Sequence, residues 1–503
     1  MRYIKLQRYE IVSYISKIDF GDIDGLFDPN LDKYFLDEDF WKKIIDSSIY
    51  YVIGRKGTGK SALYQWVYLN QTKHNVIVSN LSFQDFPFEK LLQLNDSSYS
   101  KPNQYQSIWK NIILTEICKM IITDQNNISN DDYNNINQYL NFLYGNNLQE
   151  LHKQTTQKVQ KTSTGLSYRG ITACIDHEDN SLFSVMCGNI TDLNRNIESV
   201  VRNYLLTSPS VKYVIQFDQL DDNYNKYTNN DDYFQCIISL FKTIYNISQS
   251  FRRDKIPVKI VGYLRSDIFY SINQYDSESA RWDQFKYTIN WAIINRNDWY
   301  NARLLKLINK RIVSSIEFEK ENAFPIIFDK DIIGINDKGR IQNLFPYIIH
   351  RSFHRPRDII QFCIKIKEQV ETDNTISYIQ IENAEKEYSL WLLAEIENEI
   401  GPKISNTPVL YEFLRELGSY DYSINDFKIK YARFKKEIFL EPEELLHMLY
   451  NLGIILNVNT HGNGKREIYS IVRNDRSVFN RDLRIMTHYG FYKGIYISKF
   501  LKR

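Results

Sequence analysis

The chain has 503 residues, 43% of them apolar and 25% charged, the balance of a globular protein with two to four domains and sizeable cores. A formal net charge of +2 excludes a global basic field for nucleic acid, so any such contact has to be a local patch. No apolar stretch approaches the length of a membrane span and the N-terminus lacks the apolar region of a signal peptide, so a cytoplasmic protein without membrane contact is expected.

Residues 1–45 read as a helical lead-in that ends in Asp37-Glu38-Asp39-Phe40-Trp41-Lys42-Lys43-Ile44-Ile45, whose acidic start suits the helix dipole. A strand over 49–53 then runs into Gly54-Arg55-Lys56-Gly57-Thr58-Gly59-Lys60-Ser61, the G-x-x-x-x-G-K-[ST] pattern of a Walker A loop. The chemistry asks for these residue types. Gly57 and Gly59 let the backbone curl so that successive N–H groups face a phosphate. Lys60 reaches the β- and γ-phosphates, the Ser61 hydroxyl ligates Mg²⁺, and the helix from Lys60 puts its positive end on the same anion. The set expected to hold ATP is Gly54, Gly57, Thr58, Gly59, Lys60, Ser61 and Ala62.

Downstream, Val76–Leu81 reads as a strand and 104–123 as a helix with a 3.6-residue apolar period. Residues 124–150 read as a polar loop with a short helix near Tyr139–Tyr144. Residues 153–190 read as a hairpin insertion with β-like runs at Ile171–Ile175 and Leu182–Val185, and a helix follows over 191–206. Val211–Phe217 is a further strand ending in Asp218-Gln219-Leu220-Asp221-Asp222, the Walker B arrangement. Asp218 would hold Mg²⁺ together with Ser61, and a second carboxylate, Asp221 or Asp222, would orient or deprotonate the attacking water. Spacing does not choose between those two.

A helix over 233–251 ends at Arg252 and Arg253, and a strand over 258–264 ends in Arg265-Ser266-Asp267. A γ-phosphate sensor sits at such a strand tip, so Arg265 or Ser266 is a candidate; an ion pair with Asp267 is the plainer role for Arg265. Residues 291–316 read as helical, with Leu304, Leu305, Ile308 and Ile312 on one stripe, and a Gly/Asp/Asn loop follows near 334–340. The run His350-Arg351-Ser352-Phe353-His354-Arg355-Pro356-Arg357-Asp358 opens another helix, with Pro356 in its first turn. Arg355 and Arg357 oppose the dipole there and need a bound anion or acidic neighbours. A lid arginine meeting phosphates fits. His350 and His354 lack companions for a metal site. The five cysteines, Cys118, Cys174, Cys187, Cys236 and Cys363, form no zinc framework and read as buried thiols in a reducing compartment.

Beyond Gly401-Pro402 the tail reads as three helices (408–417, 424–436 and 441–453) and a hairpin (454–458 and 467–472, turning at His461–Gly464), the order of a winged helix. Its third helix opens Glu441-Pro442-Glu443-Glu444 and carries no Lys or Arg. The basic residues sit on helix two (Lys428, Lys430, Arg433, Lys435 and Lys436) and at the wing (Lys465 and Arg466). DNA contact is therefore the less favoured reading of this tail.

Taken together, the Walker A loop, Phe-Asp-Gln-Leu-Asp-Asp, Leu-Arg-Ser-Asp-Ile-Phe and Arg-Pro-Arg-Asp-Ile-Ile resemble a family of bacterial P-loop ATPases close to the AAA+ initiator-loader and STAND ATPases, over about residues 30 to 390. Several members of that family sit in anti-phage systems. The resemblance implies Lys60 and Ser61 as the Walker A pair, Asp218 as the magnesium residue, Arg265 after the fourth strand and Arg357 at the sensor-2 position. Asp222 falls where a catalytic Glu is common, and its shorter reach implies slow hydrolysis. Arg252 or Arg253 would be an arginine finger in trans.

The expected fold is thus an α/β P-loop NTPase: a lead-in over 1–45, a parallel-sheet core over 46–290 with an insertion at about 124–190, a helical lid over 291–400 and a winged-helix-like domain over 401–503. The expected function is an ATP- and Mg²⁺-dependent ATPase that switches its own oligomerisation or controls a protein effector. The alternatives are a DNA-binding initiator- or loader-type ATPase and a nucleotide-bound scaffold with little turnover.

Overall fold

The computed structural model describes residues 7–83, 103, 105–124, 131–144, 180–207, 211–221, 230–272, 279–293, 299–316, 322–328, 343–401, 403–404, 406–462 and 464–497. They form two compact units, one of Asp37–Lys56 with Lys60–Ile289, the other of Met1–Leu36, Gly57–Gly59 and Asn290–Arg503.

The first unit is built on a sheet of β1 (Tyr51–Gly54), β2 (Val76–Ser82), β3 (Lys212–Asp218), β4 (Val258–Arg265) and β5 (Lys286–Thr288). The order is β2-β3-β4-β1-β5 and every pairing is parallel. Parallel strands covered on both faces need near-continuous apolar sequence, and β1 is buried along its whole length. The register sets Gly54 beside Arg265 and Phe217 beside Gly262, so β4 separates β1 from β3.

Helix Lys60–Leu69 connects β1 to β2, helices Gln106–Asp124, Asp131–Tyr144 and Asn180–Thr207 lie between β2 and β3, and helix Asn230–Arg253 leads from β3 to β4. The many aromatics fill the core between them. Tyr51 stacks on Phe241 at 4.5 Å and its hydroxyl donates to the Phe241 carbonyl at 2.8 Å. Trp109 donates its indole N–H to the Cys236 carbonyl at 3.0 Å. Mid-sheet, the fully buried Gln216 on β3 donates to the Tyr64 carbonyl (3.0 Å) and Asn80 Oδ1 (2.8 Å) and accepts from the Tyr263 hydroxyl (2.5 Å). This amide ties β2, β3, β4 and the first helix into one network.

Several expectations change here. Leu182–Val185 lies inside the helix Asn180–Thr207; a four-residue apolar run has no periodicity that separates a strand from a buried helical turn. Ile171–Ile175 lies outside the described residues. The segment expected as a helix up to Ile45 is instead a five-residue π-helical turn, Trp41–Ile45, whose Trp41 stacks on His74 at 3.7 Å.

In the second unit, helices Arg8–Lys17 and Leu31–Tyr34 pack with Arg303–Ser315, Ala323–Ile327, Leu344–Arg351, Pro356–Asp373 and Tyr378–Ile400. Arg311 places its guanidinium over the Tyr34 ring at 4.2 Å and donates to the Phe20 carbonyl, while Lys367 donates to the Ile18 carbonyl at 2.8 Å. The helix expected over 291–316 begins only at Arg303, after a single 3₁₀ turn at Trp299–Asn301.

Further on, helices Thr407–Leu417, Ile424–Tyr431, Lys435–Ile438 and Pro442–Asn451 precede an antiparallel sheet of β6 (Ile455–Thr460), β7 (Arg466–Tyr469) and β8 (Arg484–Thr487), in the order β7-β6-β8. The helix expected over 424–436 is broken by a turn at 432–434. β8 is a strand beyond the expected hairpin, and Tyr422 forms an isolated bridge to Ile485 on it.

Candidate functional site

Three strands of the first unit end together: β1 at Gly54, β4 at Arg265 and β3 at Asp218. The carboxyl edge of a parallel sheet, where the chain turns into helix N-termini, is where open α/β folds bind ligands. Lys60 starts the helix Lys60–Leu69 there, buried, with Nζ donating to the carbonyls of Gly54 (3.0 Å) and Arg55 (3.3 Å). Burial lowers its pKa from the ordinary lysine range, against the pull of Asp221 and Asp218. Ala62 lies in the first turn of the same helix.

Asp218 is 2% exposed. Burial raises its pKa from 3.8 to about 6, although the Ser61 hydroxyl and Lys60 both favour its charged form. One carboxylate oxygen, Oδ2, is buried without a hydrogen-bond partner. Gln219, the next residue, has φ of +60°, a conformation that costs a side-chain-bearing residue on the order of 1 kcal/mol and clusters at functional sites. Its side chain meets the Ser82 hydroxyl.

Arg265 donates to both oxygens of Asp267 (Nε 3.0 Å, Nη2 2.6 Å) and lies 3.8 Å from Asp221 Oδ2. The ion-pair role is therefore present, and Asp221 shares the arginine. Ser266 is buried at the start of the helix Ser266–Ile272. Asp222 lies outside the described residues. Gly54, Lys60, Ser61, Asp218, Asp221 and Arg265 thus share one edge of the sheet. Arg252 and Arg253 end the helix Asn230–Arg253 in solvent, with Arg252 at the Tyr50 hydroxyl. Tyr50 precedes β1, so this is the opposite end of the sheet from Gly54.

The tip of the loop, Gly57–Gly59, groups with the second unit. Gly57 and Gly59 have φ of +80° and +91°, the left-handed region that favours glycine. The Arg357 N–H donates to the Gly57 carbonyl at 3.4 Å, and the Trp291 indole N–H donates to the Thr58 carbonyl at 2.9 Å. Arg357 pairs with Glu395 at 3.3 Å, and Arg355 donates two bonds of 2.8 Å to Asp358. Acidic neighbours therefore offset both arginines at this helix start. Sequence reasoning missed Trp291, which it placed inside a helix, and Gln216, which it included in the strand Val211–Phe217 without assigning it a role.

His350, His354 and His488 line a cavity of about 20 Å³, and no group of three or more metal-ligating side chains stands poised for an ion among the described residues. In the tail, Lys428 pairs with Glu443 (2.5 Å), Lys435 with Glu441 (2.8 Å), Arg433 with Glu416 (3.6 Å) and Arg466 with Asp421 (2.8 Å). Cys118, Cys236 and Cys363 are buried free thiols, and burial raises their pKa values far above the usual range. Cys174 lies outside the described residues, and Cys187 falls within the helix Asn180–Thr207.

Fold and site define an α/β protein with a five-stranded parallel sheet whose carboxyl edge gathers a lysine, a serine and a buried aspartate, joined to a C-terminal helical region. Residues 302–397, the helices from Arg303 into Tyr378–Ile400, match the model of the FunZ-associated C-terminal helical domain. No curated protein matches the chain. Among the described residues, no helix is long and apolar enough to cross a membrane.

Proposed function

We propose that this chain is a P-loop ATPase of the AAA+/STAND type, binding ATP with Mg²⁺ at the Gly54–Ser61 loop and using the nucleotide as a conformational switch. One observation carries the reading: the Ser61 hydroxyl bonds to a buried carboxylate, Asp218, that keeps a second oxygen unpartnered beside Lys60. Burying a half-satisfied carboxylate is costly unless something charged completes it.

These residues fit Mg²⁺, which takes one or two protein oxygens and fills its octahedron with water and phosphate. Ser61 and Asp218 would hold it, and when bound it would neutralise phosphate charge. Lys60 would exchange the Gly54 and Arg55 carbonyls for phosphate oxygens. Asp221 or Asp222 would orient the attacking water. Arg265, already braced by Asp267, would face the charge that develops on the transferred phosphoryl group.

The output we propose is homo-oligomerisation or control of a protein effector. The order of helices and strands over 407–487 supports a winged-helix-like reading of the tail. Four of its basic side chains, Lys428, Arg433, Lys435 and Arg466, are paired with Glu443, Glu416, Glu441 and Asp421, which favours a protein partner over a DNA backbone. The biological setting we propose is anti-phage defence, supported by the motif resemblance and by the match over 302–397 to a defence-associated family.

The test is size-exclusion chromatography with light scattering on the wild type and Lys60→Ala, each with ATP, with ADP and without nucleotide. The switch predicts a mass change in the wild type with ATP alone and none in Lys60→Ala. Constant mass in all conditions rejects nucleotide-driven assembly.

A further inference from the structure

We infer that Trp291 is a positioning residue for the phosphate loop: its indole N–H and the backbone N–H of Arg357 lock two successive peptide planes of the Gly57–Gly59 tip, so that the Thr58 and Gly59 N–H groups face away from those donors and toward a bound anion. The inference rests on the nucleotide reading above and deepens it.

The argument is one of peptide geometry. In a planar trans peptide, C=O and N–H point in opposite directions. The Gly57 carbonyl accepts from Arg357 N–H at 3.4 Å, which turns the N–H of Thr58, in the same peptide, to the far side. The Thr58 carbonyl accepts from Trp291 Nε1 at 2.9 Å, which does the same for Gly59. Two consecutive N–H groups, each turned from the donor on its own carbonyl, with Gly57 and Gly59 at positive φ, are the elements of the concave anion cradle known as a nest. Preorganised donors need no reorientation when charge arrives.

Trp291 is itself held in place. Arg303 lies over its ring at 4.5 Å and donates to the Asn290 carbonyl at 2.7 Å. Asn290 Oδ1 in turn accepts from the Ala292 N–H at 2.9 Å. Thr58 and Trp291 are 5% and 8% exposed, so water cannot readily replace the indole if that bond is lost. A buried tryptophan usually finds some acceptor. Here the acceptor is a loop carbonyl whose orientation dictates the next N–H.

The experiment measures equilibrium binding of a fluorescent ATP analogue, with thermal melts, on the full chain as wild type, Lys60→Ala, Trp291→Phe and Trp291→His. Phenylalanine keeps a ring under Arg303 and removes the donor. Histidine restores a ring N–H near the indole nitrogen. The expected result is binding by the wild type, loss in Lys60→Ala, an affinity about five-fold weaker in Trp291→Phe, the size of one lost hydrogen bond, and recovery to within about two-fold in Trp291→His. Wild-type affinity in Trp291→Phe, or equal weakness in both tryptophan variants, overturns the inference while leaving the nucleotide reading standing. Absence of binding in the wild type overturns both. If Trp291→Phe does not fold, Trp291→His decides alone: affinity within about two-fold of wild type supports the role and a loss of about ten-fold rejects it.

Discussion

The Ser61 hydroxyl reaches the Asp218 carboxylate although the strands behind them are not neighbours, because β4 lies between β1 and β3. Arg265 ends that intervening strand, in register with Gly54. The sheet order therefore gathers a hydroxyl, a carboxylate and a guanidinium at the carboxyl ends of three adjacent strands. The carboxyl ends of the strands are the usual place for a ligand in a parallel sheet.

Asp218 leads to a pH prediction. Burial raises its pKa from 3.8 to about 6, so the folded protein holds this proton more tightly than the unfolded chain does. The resulting stability is complete below about pH 4, is lost as pH rises through 6 and stays lost above it. Asp218→Asn removes the effect. Without nucleotide, its stability to unfolding should exceed that of the wild type by a margin that grows from pH 5 to pH 7, reaching roughly 3 kcal/mol at neutral pH. A margin independent of pH rejects the assignment. Mg²⁺-dependent nucleotide affinity in the wild type should rise with pH up to about 6 and then level.

Gln216 carries a stability prediction. Replacing it by leucine removes the acceptor of the buried Tyr263 hydroxyl and one donor each from the Asn80 side chain and the Tyr64 carbonyl. The expected cost is about 2–4 kcal/mol, read as a fall of roughly 5–10 °C in melting temperature. A fall below about 2 °C would mean that the network relaxes around the apolar side chain.

Gly57 and Gly59 should respond differently to alanine. Both have positive φ, so each substitution strains the backbone by on the order of 1 kcal/mol. A methyl group on Gly57 would also sit 3.2 Å from the Arg357 Cβ, whereas one on Gly59 meets nothing within 4 Å. Thermal melts should rank Gly57→Ala below Gly59→Ala. Equal melting temperatures would show that Arg357 moves aside at no cost.

Arg265 should separate turnover from binding. Its side chain is already held by Asp267 and lies near Asp221, so Arg265→Ala should lower phosphate release at saturating ATP at least about ten-fold while nucleotide affinity stays within about two-fold. Equal losses in both would make it a ground-state contact.

What was legible in the sequence was what repeats or what chemistry constrains. Apolar runs marked β1 through β4, and the glycine spacing marked the loop whose φ values now require glycine. What was not legible depends on contacts between distant residues. β5 is three residues of mixed character, Lys286–Thr288, and exists because β1 offers it an edge. β8 pairs with β6 across a stretch that has no alternating pattern. Arg355 and Arg357 were puzzling as charges against a dipole until Asp358 and Glu395 came into place, and Glu395 is 38 residues beyond its partner. Trp291 looked helical because local periodicity cannot record that its indole bonds to a residue 233 positions earlier.

The grouping of residues 1–36 with 290–503 bears on how the chain is made. Ile18 waits for Lys367, 349 residues later, and Phe20 for Arg311, 291 residues later. At ~5–20 residues per second, the first segment leaves the ribosome roughly 15–70 s before its partners exist. Its apolar side chains, Ile11, Val12, Ile15, Ile18 and Phe20, buried in the finished protein, are exposed through that interval while the sheet unit can already close. Slowed elongation would lengthen that exposure, and this first segment is where a nascent-chain chaperone has the longest time to bind.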